Sequence, residues 1–396
     1  MRLTVTIEQR YDRTPDGAIW TPAQFPYKVW TQYLDVFDEV RVLARVQEVL
    51  EVPQQYQRAD GKNVIFSALP YYLGPFAYLK QRAKLLKIIK ASVTFDHAYL
   101  LRVSSQIGNL VQPILKRREF PYGAQVVCDP FDIFAPGVVK HPLSPFFRLL
   151  FSRRLKKQCA EASAVAYVTS AYLQKRYPCA GRSFSISGVQ IPDDALVEAP
   201  RRLKSDQTTF RLVFVGSLAQ LYKAPDVLIH AVGNCVRDGL DLQLMMIGSG
   251  KFQLQLQALV EKEGIEDRVT FAGQISNNAT LRHYLDEADL FVLPSRTEGL
   301  PRAVIEAMAR GLPCIGSSAG GIPELLAGED LVQPGDPVTL TTKIKEVLNN
   351  PERMWEMSKR NLEKSKMYRL NIMHAKQREF LLYLRDITKE RIATDA

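Results

Sequence analysis

Two glutamates with seven residues between them, Glu298 and Glu306, have the residue type and spacing to contact one ligand at two points. An apolar segment, residues 290–293, precedes the loop with Glu298, and we expect a helix to begin near Pro301 and to carry Glu306. The first N–H groups of a helix lack acceptors within it and carry the positive end of its dipole. The pattern therefore predicts a site for an anion or for sugar hydroxyls. The alternative is that Glu306 is a surface helix residue and that Glu298 only stabilises the helix start.

Alternating strands and helices must position this stretch. Apolar, β-branched runs recur with helical segments between them, which is typical of a mostly parallel sheet covered by helices on both faces. One series of predicted strands is followed, after a polar stretch at residues 192–209, by a second series. The first comprises residues 3–7, 40–46, 64–68, 92–95, 125–128 and 164–168, and the second comprises residues 211–215, 242–247, 269–272, 290–293, 314–316 and 331–332.

The two series predict two doubly wound α/β domains in tandem. Open parallel sheets bind ligands beyond the carboxyl ends of their strands, so two facing sheets would hold one ligand in the cleft between them. We place the first domain at residues 1–204 and the second at residues 205–370. The last helical segment, residues 371–396, is predicted to return to the first domain and to pack on it.

Positive charge is concentrated in the first of these domains. The chain has 52 Lys and Arg against 42 Asp and Glu, a net charge of +10; residues 1–204 have 29 against 17, and residues 205–396 have 23 against 25. Bulky apolar residues at 76–89 share a predicted helix with a run of cations, a pattern typical of a basic amphipathic helix at an anionic membrane surface. The alternative is an ordinary half-buried helix with a solvated basic face. Nucleic acid is disfavoured, because no zinc-finger or aromatic RNA-binding signature accompanies the charge. The cations are Lys80, Arg82, Lys84, Lys87 and Lys90.

Composition excludes several other classes of protein. Apolar residues make up 46% of the chain and charged residues 24%, as in folded globular proteins. No window reaches the roughly 18 apolar residues of a membrane span, and the N-terminus turns charged before a signal peptide could form. The five cysteines contain no C-x-x-C pair, so the sequence supports neither a disulfide framework nor a zinc site. We therefore expect a cytoplasmic protein, with peripheral binding to the inner face of the plasma membrane as a further possibility.

The motifs around the two glutamates resemble a known enzyme family. The sequence EGLPRAVIEAMARGLPCI at residues 298–315, followed by GGIPELL at 320–326, closely resembles family 4 of the retaining glycosyltransferases. The resemblance extends upstream through VFVGSL at 213–218, IGSG at 247–250 and VTFAGQI at 269–275, and it covers most of residues 210–349. It implies a GT-B fold, which consists of two Rossmann-like domains facing across a cleft, with a nucleotide-sugar donor bound mainly by the second.

The resemblance also implies a role for each matching residue. Glu298 would contact hydroxyls of the donor sugar, and Glu306 would accept hydrogen bonds from both ribose hydroxyls. Lys223 matches a lysine that binds the donor diphosphate, where a flexible point charge suits a leaving group that gains negative charge; the alternative is a solvated loop lysine. The remaining donor-binding candidates follow the strand ends and the helix start, and they are Gly216, Ser217, Gly273, Ile275, Gly299, Leu300, Pro301 and Arg302. Backbone contacts of Gly273 and Ile275 with the base would not distinguish UDP from GDP.

The sequence departs from the family pattern in two places. Ser217 stands where the family commonly has an arginine, so one cation for the diphosphate is missing unless Arg302 supplies it. The family also usually has a histidine after the fifth strand of the first domain, where this chain has the segment CDPFD and Asp129 or Asp132 would substitute. Candidates for the acceptor or sugar pocket are therefore Asp129, His97 after the fourth predicted strand, and Gly17 in the first loop. A packed histidine and a simple surface turn are the respective alternatives for His97 and Gly17.

These observations predict a retaining hexosyltransferase of polysaccharide or glycolipid biosynthesis. The donor would be a UDP- or GDP-linked sugar, and the acceptor would be a hydroxyl of a saccharide or of a lipid-linked saccharide. We expect neither a resident cofactor nor a required metal, because the chain has no D-x-D motif, the carboxylate pair that binds a metal in the other major glycosyltransferase fold. The alternatives are a donor-binding regulator without turnover, and a nucleotide-sugar epimerase or a phosphorylase on the same fold.

Overall fold

The structure is a computed structural model that describes residues 1–22, 24–135, 138, 141–202, 207–275 and 278–395. The described residues form a sheet in each half of the chain, with helices on both faces of each sheet. The strands are β1 Arg2–Arg13, β2 Ile19–Thr21, β3 Glu39–Glu48, β4 Gln57–Arg58, β5 Val64–Leu69, β6 Ala98–Val103, β7 Gly123–Val126, β8 Ala164–Tyr167, β9 Arg182–Ser185, β10 Thr209–Val215, β11 Asp241–Ile247, β12 Val269–Gly273, β13 Leu290–Leu293, β14 Cys314–Ser317 and β15 Leu331–Val332. The α-helices are α1 Tyr27–Leu34, α2 Gly74–Ser92, α3 Gln106–Arg117, α4 Pro130–Ile133, α5 Ser144–Glu161, α6 Tyr172–Arg176, α7 Pro225–Arg237, α8 Gln253–Glu263, α9 Asn278–Glu287, α10 Arg302–Ala309, α11 Pro337–Leu348, α12 Pro351–Ser365 and α13 Leu370–Asp395.

The first sheet is mainly parallel. Strands β5, β3, β1, β6, β7, β8 and β9 lie side by side in that order, and the short strands β2 and β4 add antiparallel pairs beside the end of β1. Helices α2, α3 and α5 contribute side chains to the core on one face, while α1 and α13 cover the other face. Because these strands are parallel, the strand ends that precede α2, α3 and α4 all lie at the carboxyl end of the sheet, which is called its carboxyl edge from here on.

The second sheet is parallel throughout its described strands, in the order β12, β11, β10, β13, β14, β15. Its central strands are continuous apolar runs, and all four residues of β13 are buried. Such runs are typical of parallel strands that helices cover on both faces. The observed architecture is two α/β units with mainly parallel sheets, in agreement with the two doubly wound units that the sequence predicted.

Helix α13 returns to the first sheet, as the predicted fold class requires. Phe380, Leu381 and Leu384 are buried in the core of the first half of the chain, and the Phe380 ring lies 5.3 Å from that of Phe184. The predicted domain boundary after Lys204 falls at residues 203–206, outside the described residues, and the domain limits remain predictions.

The chain crosses between the two halves at two places that lie side by side. The Ile191 N–H donates to the Tyr368 carbonyl at 2.9 Å, and the Leu370 N–H donates to the Ile191 carbonyl at 2.9 Å. The outgoing and returning segments are therefore hydrogen-bonded to each other where they connect the two halves.

One predicted strand of the first half is wrong. Residues 92–95 end helix α2 and enter a loop, and the strand is β6, which begins three residues later at Ala98.

Among the described residues, no helix combines the length and the apolar character that a membrane span needs.

Candidate active site

The ends of neighbouring strands bring the predicted donor residues to one edge of the second sheet. Gly216 follows β10, Gly273 ends β12, and the loop from Pro294 to Pro301 follows β13. Because β13 pairs with β10 and all strands are parallel, the loop after β13 lies beside the turn that follows Gly216. Strand order alone therefore places together residues that are far apart in the sequence.

Lys223 and Glu298 form an ion pair at this edge. The Lys223 Nζ lies 2.5 Å from Glu298 Oε1, and their side chains are only 13% and 9% exposed. The Ser295 hydroxyl donates to the same carboxylate oxygen at 3.2 Å. The structure thus joins an ammonium and a carboxylate where a ligand with both an anionic group and hydroxyls can contact both charges.

Position 216 requires a glycine because the side chain of Lys223 lies directly against its backbone. A Cβ at Gly216 would lie 2.4 Å from Cδ of Lys223, closer than real contacts allow. Lys223 ends a short 3₁₀ turn, Leu221–Lys223, and Ala224 then adopts a left-handed conformation with φ 55° before Pro225 begins α7. Gly216 therefore gives the lysine stem the space to lie along the backbone toward Glu298.

Glu306 lies in α10, one helix turn from its start. Its side chain is 28% exposed, and burial raises the pKa of its carboxyl group while Arg302, 3.8 Å away, opposes that rise. Arg302 itself is 74% exposed. Pro301 precedes the helix without a side-chain cap, so the first N–H groups of α10 have no side-chain acceptor among the described residues. The partly exposed Glu306 carboxylate therefore lies on the same helix as this uncapped start.

The other donor candidates occupy the surroundings of this site. Ser217 is exposed, and its hydroxyl accepts from the Ala219 N–H at 3.2 Å. The Gly273 carbonyl accepts from the Gly248 N–H at 2.8 Å, and Ile275 is half-buried against the core of the second half. These contacts within the protein do not indicate which nucleotide base the site would bind.

Gly299 and Leu300 meet the first domain across the cleft. A Cβ on Gly299 would lie 2.7 Å from the carbonyl oxygen of Val127, the residue that follows β7. Leu300 packs against the cores of both halves. The loop from Pro294 to Pro301, called the donor loop from here on, therefore touches the carboxyl end of the first sheet directly.

Glu324 also joins the two halves, a role that the sequence analysis did not identify. Its carboxylate accepts the N–H groups of Ser170, of Ala171 at 3.0 Å and of Tyr172 at 2.6 Å, at the start of α6 in the first half. The loop before Glu324 is packed on the donor loop, since the Gly321 N–H donates to the Gly299 carbonyl at 2.8 Å. The GGIPE motif was the available signal, but its partners are backbone groups that no sequence pattern marks.

His97 is not brought to the cleft, and its prediction as a pocket residue is wrong. It precedes β6 and lies at the amino edge of the sheet, because the strand begins after it rather than before it. The ring is buried and contacts Thr4 Oγ1 at 2.9 Å and Asp96 at 2.7 Å, and burial lowers its pKa. It is a packed histidine.

Asp129 does follow β7 at the cleft edge, but its carboxylate is occupied. It caps α4 by accepting the Phe131 N–H at 2.8 Å, and it also accepts from Tyr177 and Arg176. Its side chain is 1% exposed, and burial raises its pKa. The carboxylate of Asp129 thus holds α4 and α6 together, and a contact between Asp129 and the donor sugar remains a prediction.

Gly17 lies in the turn between β1 and β2. It has φ +85°, and its N–H donates to the Thr14 carbonyl at 2.9 Å. No atom lies within 4 Å of the position that a side chain would take. The turn is thus open to solvent at the carboxyl end of β1, and a role toward a substrate remains a prediction.

Comparison with known proteins finds one matching family model and several similar proteins. Residues 209–350 match the family model described as "Glycosyl transferases group 1". Protein CapJ of Staphylococcus aureus is 28% identical over 369 residues, which is 92% of each chain. The N-acetyl-alpha-D-glucosaminyl L-malate synthase of Bacillus anthracis is 32% identical over 155 residues, 38% of this chain and 39% of that one.

Two solved structures share the overall fold. Sucrose-phosphate synthase from Thermosynechococcus elongatus superposes with a TM-score of 0.68 and 19% identity, covering 97% of this chain and 99% of that one. Anabaena HepE in complex with UDP and glucose superposes with a TM-score of 0.65 and 17% identity, covering 96% and 99%. The domain match over residues 209–350, together with the two facing sheets, supports a glycosyltransferase with the GT-B fold.

Proposed function

We propose that the protein is a retaining family 4 glycosyltransferase that moves a hexose from a UDP- or GDP-linked sugar to a hydroxyl of a saccharide or lipid-linked saccharide. The observation that carries the proposal is the ion pair of Lys223 and Glu298 beside the uncapped start of α10. The ammonium and the helix start suit a diphosphate, while the carboxylates of Glu298 and Glu306 suit sugar and ribose hydroxyls.

In the proposed reaction, the bond between the anomeric carbon and the diphosphate oxygen breaks as the acceptor oxygen bonds to that carbon from the same face. The acceptor proton passes to the departing phosphate oxygen. Lys223 and the N–H groups of α10 stabilise the negative charge that develops on the diphosphate. Glu298 orients the sugar through its hydroxyls, so the contribution of the protein is positioning and electrostatic stabilisation. No metal is required in this scheme.

Calorimetric titration with UDP, GDP and ADP tests the donor site without an acceptor. We expect one nucleotide to bind the wild type with micromolar affinity and to lose at least about tenfold in Glu306→Ala, because each charged hydrogen bond to a ribose hydroxyl contributes about 1.5 to 3 kcal/mol. Glu261→Ala is the matched control, since Glu261 is exposed near the end of α8. If no nucleotide binds the wild type, the proposal fails.

Turnover separates the proposal from its alternatives. A donor-binding regulator would bind nucleotide but would release no sugar to any acceptor, whereas an epimerase would convert the donor without an acceptor. A glycoside product with the anomeric configuration of the donor supports retention. The inverted configuration would contradict it.

We also propose that the basic face of the first domain binds an anionic membrane. In α2, Phe76 is 80% and Leu79 is 63% exposed near the helix start, and the cations of the same helix are exposed along the rest of its length. Helix α5 repeats this pattern with Phe146, 58% exposed, followed by Arg153, Arg154, Lys156 and Lys157. Apolar side chains beside a basic surface favour the interface of anionic lipids.

Vesicle sedimentation tests this surface. The triple variant Lys80→Glu, Lys84→Glu and Lys87→Glu should lose most binding to vesicles that contain anionic phosphatidylglycerol, because each cation contributes about 1 kcal/mol near such a surface. Leu254→Ser is the control, because Leu254 is 80% exposed on the second half of the chain. Unchanged binding of the triple variant would contradict the proposal.

A further inference from the structure

Arg102 lies one strand away from the donor loop, on the first domain. It is the penultimate residue of β6 and pairs in register with Gln125 of β7. The chain beyond β7 reaches the donor loop, because the Val127 carbonyl would contact a Cβ on Gly299 at 2.7 Å. Arg102 therefore lies at the same end of the first sheet as the residue that meets the loop carrying Glu298.

The guanidinium of Arg102 is largely desolvated but has no carboxylate partner. Its Nη1 donates to Gln125 Oε1 at 2.7 Å, and its Cζ lies 4.4 Å from the centre of the Phe25 ring. Its nearest titratable groups are the phenols of Tyr11 and Tyr33 and the Cys128 thiol, and burial lowers the pKa of Arg102. Among the described residues, no Asp or Glu forms an ion pair or hydrogen bond with it.

Other arginines at this sheet edge are compensated. Arg45 of β3 lies 3.2 Å from the carboxylate of Glu8, and Arg176 of α6 pairs with Asp129 and Asp132. A half-buried charge without an opposite charge is destabilising, and proteins usually pair it or remove it. The uncompensated charge of Arg102 therefore points to a partner that is not part of the chain.

The unused N–H groups of Arg102 are accessible to such a partner. The side chain is half-buried, and none of its nitrogens belongs to the fully buried polar atoms that lack a hydrogen bond. The Tyr11 hydroxyl is buried beside it without a hydrogen-bond partner among the described residues. Gln125 binds one N–H group of the guanidinium and the Phe25 ring lies against its face, so the remaining N–H groups have no partner among the described residues.

We propose that Arg102 binds an oxyanion of the acceptor, either a phosphate or a carboxylate. Both groups accept two parallel hydrogen bonds from a guanidinium, and both would neutralise its charge. The inference rests on the proposed function, since it assigns an anionic acceptor to the same cleft.

Saturation-transfer NMR on the nucleotide-loaded protein tests the site with glucose 1-phosphate, glucuronate and glucose as probes. The first two probes distinguish a phosphate from a carboxylate, and glucose is the neutral reference. We expect at least one anionic probe to bind the wild type and to lose at least about tenfold in affinity in Arg102→Gln. Arg102→Lys should bind less tightly than the wild type, because the charge remains but the two parallel N–H donors of the guanidinium are lost.

Arg148→Gln is the matched control, because Arg148 also stacks on an aromatic ring, Phe131 at 3.6 Å, but lies on α5. The inference is overturned if no anionic probe binds the wild type at about 10 mM, or if Arg102→Gln binds it as well as Arg148→Gln does. It is also overturned if Arg102→Gln loses nucleotide affinity, because Arg102 then belongs to the donor site. If the wild type binds the anion through Arg102 but binds no nucleotide, the proposed function fails while the oxyanion site stands.

Discussion

Lys223 and Glu298 neutralise each other, so a ligand that uses either must replace a contact that the chain already has. Their side chains are almost fully covered, and removal of one partner leaves the other as an isolated charge. We therefore expect Lys223→Met and Glu298→Gln each to lower the free energy of unfolding by about 1 to 3 kcal/mol. The double variant should lose less than the sum of the two. Urea denaturation of the four proteins measures this coupling, and additive losses would show that the pair contributes nothing.

Glu306 gives a pH dependence whose direction follows from its burial. Burial raises the pKa of this carboxyl group above its ordinary 4.5, so it gains a proton at a higher pH than an exposed glutamate. The protonated form loses acceptor capacity for ribose hydroxyls, and nucleotide affinity should therefore fall as the pH decreases through a value above 4.5. Calorimetry across this range should show the fall in the wild type. A Glu306→Gln variant should bind weakly with a flatter profile, and an equally steep profile would assign the effect to another group.

The position of a charged residue was predictable where it follows a strand of the second sheet, as with Lys223 and Glu298. The role of a residue was not predictable where that role depends on a partner far away in the sequence. Asp129 was expected in the sugar pocket, but Arg176 and Tyr177, over forty residues away, bind its carboxylate. Arg102 carried a weak signal, a lone cation in the apolar strand AYLLRV, and only the packed structure shows that no Asp or Glu among the described residues pairs with it.

At the level of elements, Glu324 connects the donor loop to helix α6 of the first domain. Three backbone N–H groups bind one carboxylate, so its loss leaves three donors unpaired and frees the two halves to separate. We expect Glu324→Ala to increase the radius of gyration in small-angle scattering and to lower kcat several-fold. Glu329→Ala is the control, since Glu329 pairs with Arg360 in the same half. Unchanged scattering and kcat would show that other contacts hold the halves together.

Most strands were predictable because continuous apolar runs specify buried parallel strands. All six strands predicted in the second half are present at nearly the predicted residues, from β10 to β15. The strand predicted at residues 92–95 failed because β-branched residues there follow α2 directly, and its error moved His97 to the wrong edge. The strands β2, β4 and β9 were not predicted, because their sequences IWT, QR and RSFS are not continuous apolar runs.

On the scale of the whole molecule, helix α13 makes the end of the chain part of the first domain. Leu384 is fully buried against that domain's core, so Leu384→Ala should lower the free energy of unfolding by about 2 to 5 kcal/mol. Ile372→Ala, at a site that is 37% exposed, should change it far less. Chemical denaturation followed by tryptophan fluorescence measures both, and equal effects would contradict the packing of α13 in the core.

The two paired crossover segments have a mechanical consequence. The Ile191 N–H donates to the Tyr368 carbonyl and the Ile191 carbonyl accepts from the Leu370 N–H, so the two covalent connections between the halves run side by side. A single connecting segment would allow the two halves to rotate about any axis. Two segments hydrogen-bonded side by side bend more easily in one direction and resist twisting. We therefore expect the two halves to open and close by rotation about a single axis through these paired segments.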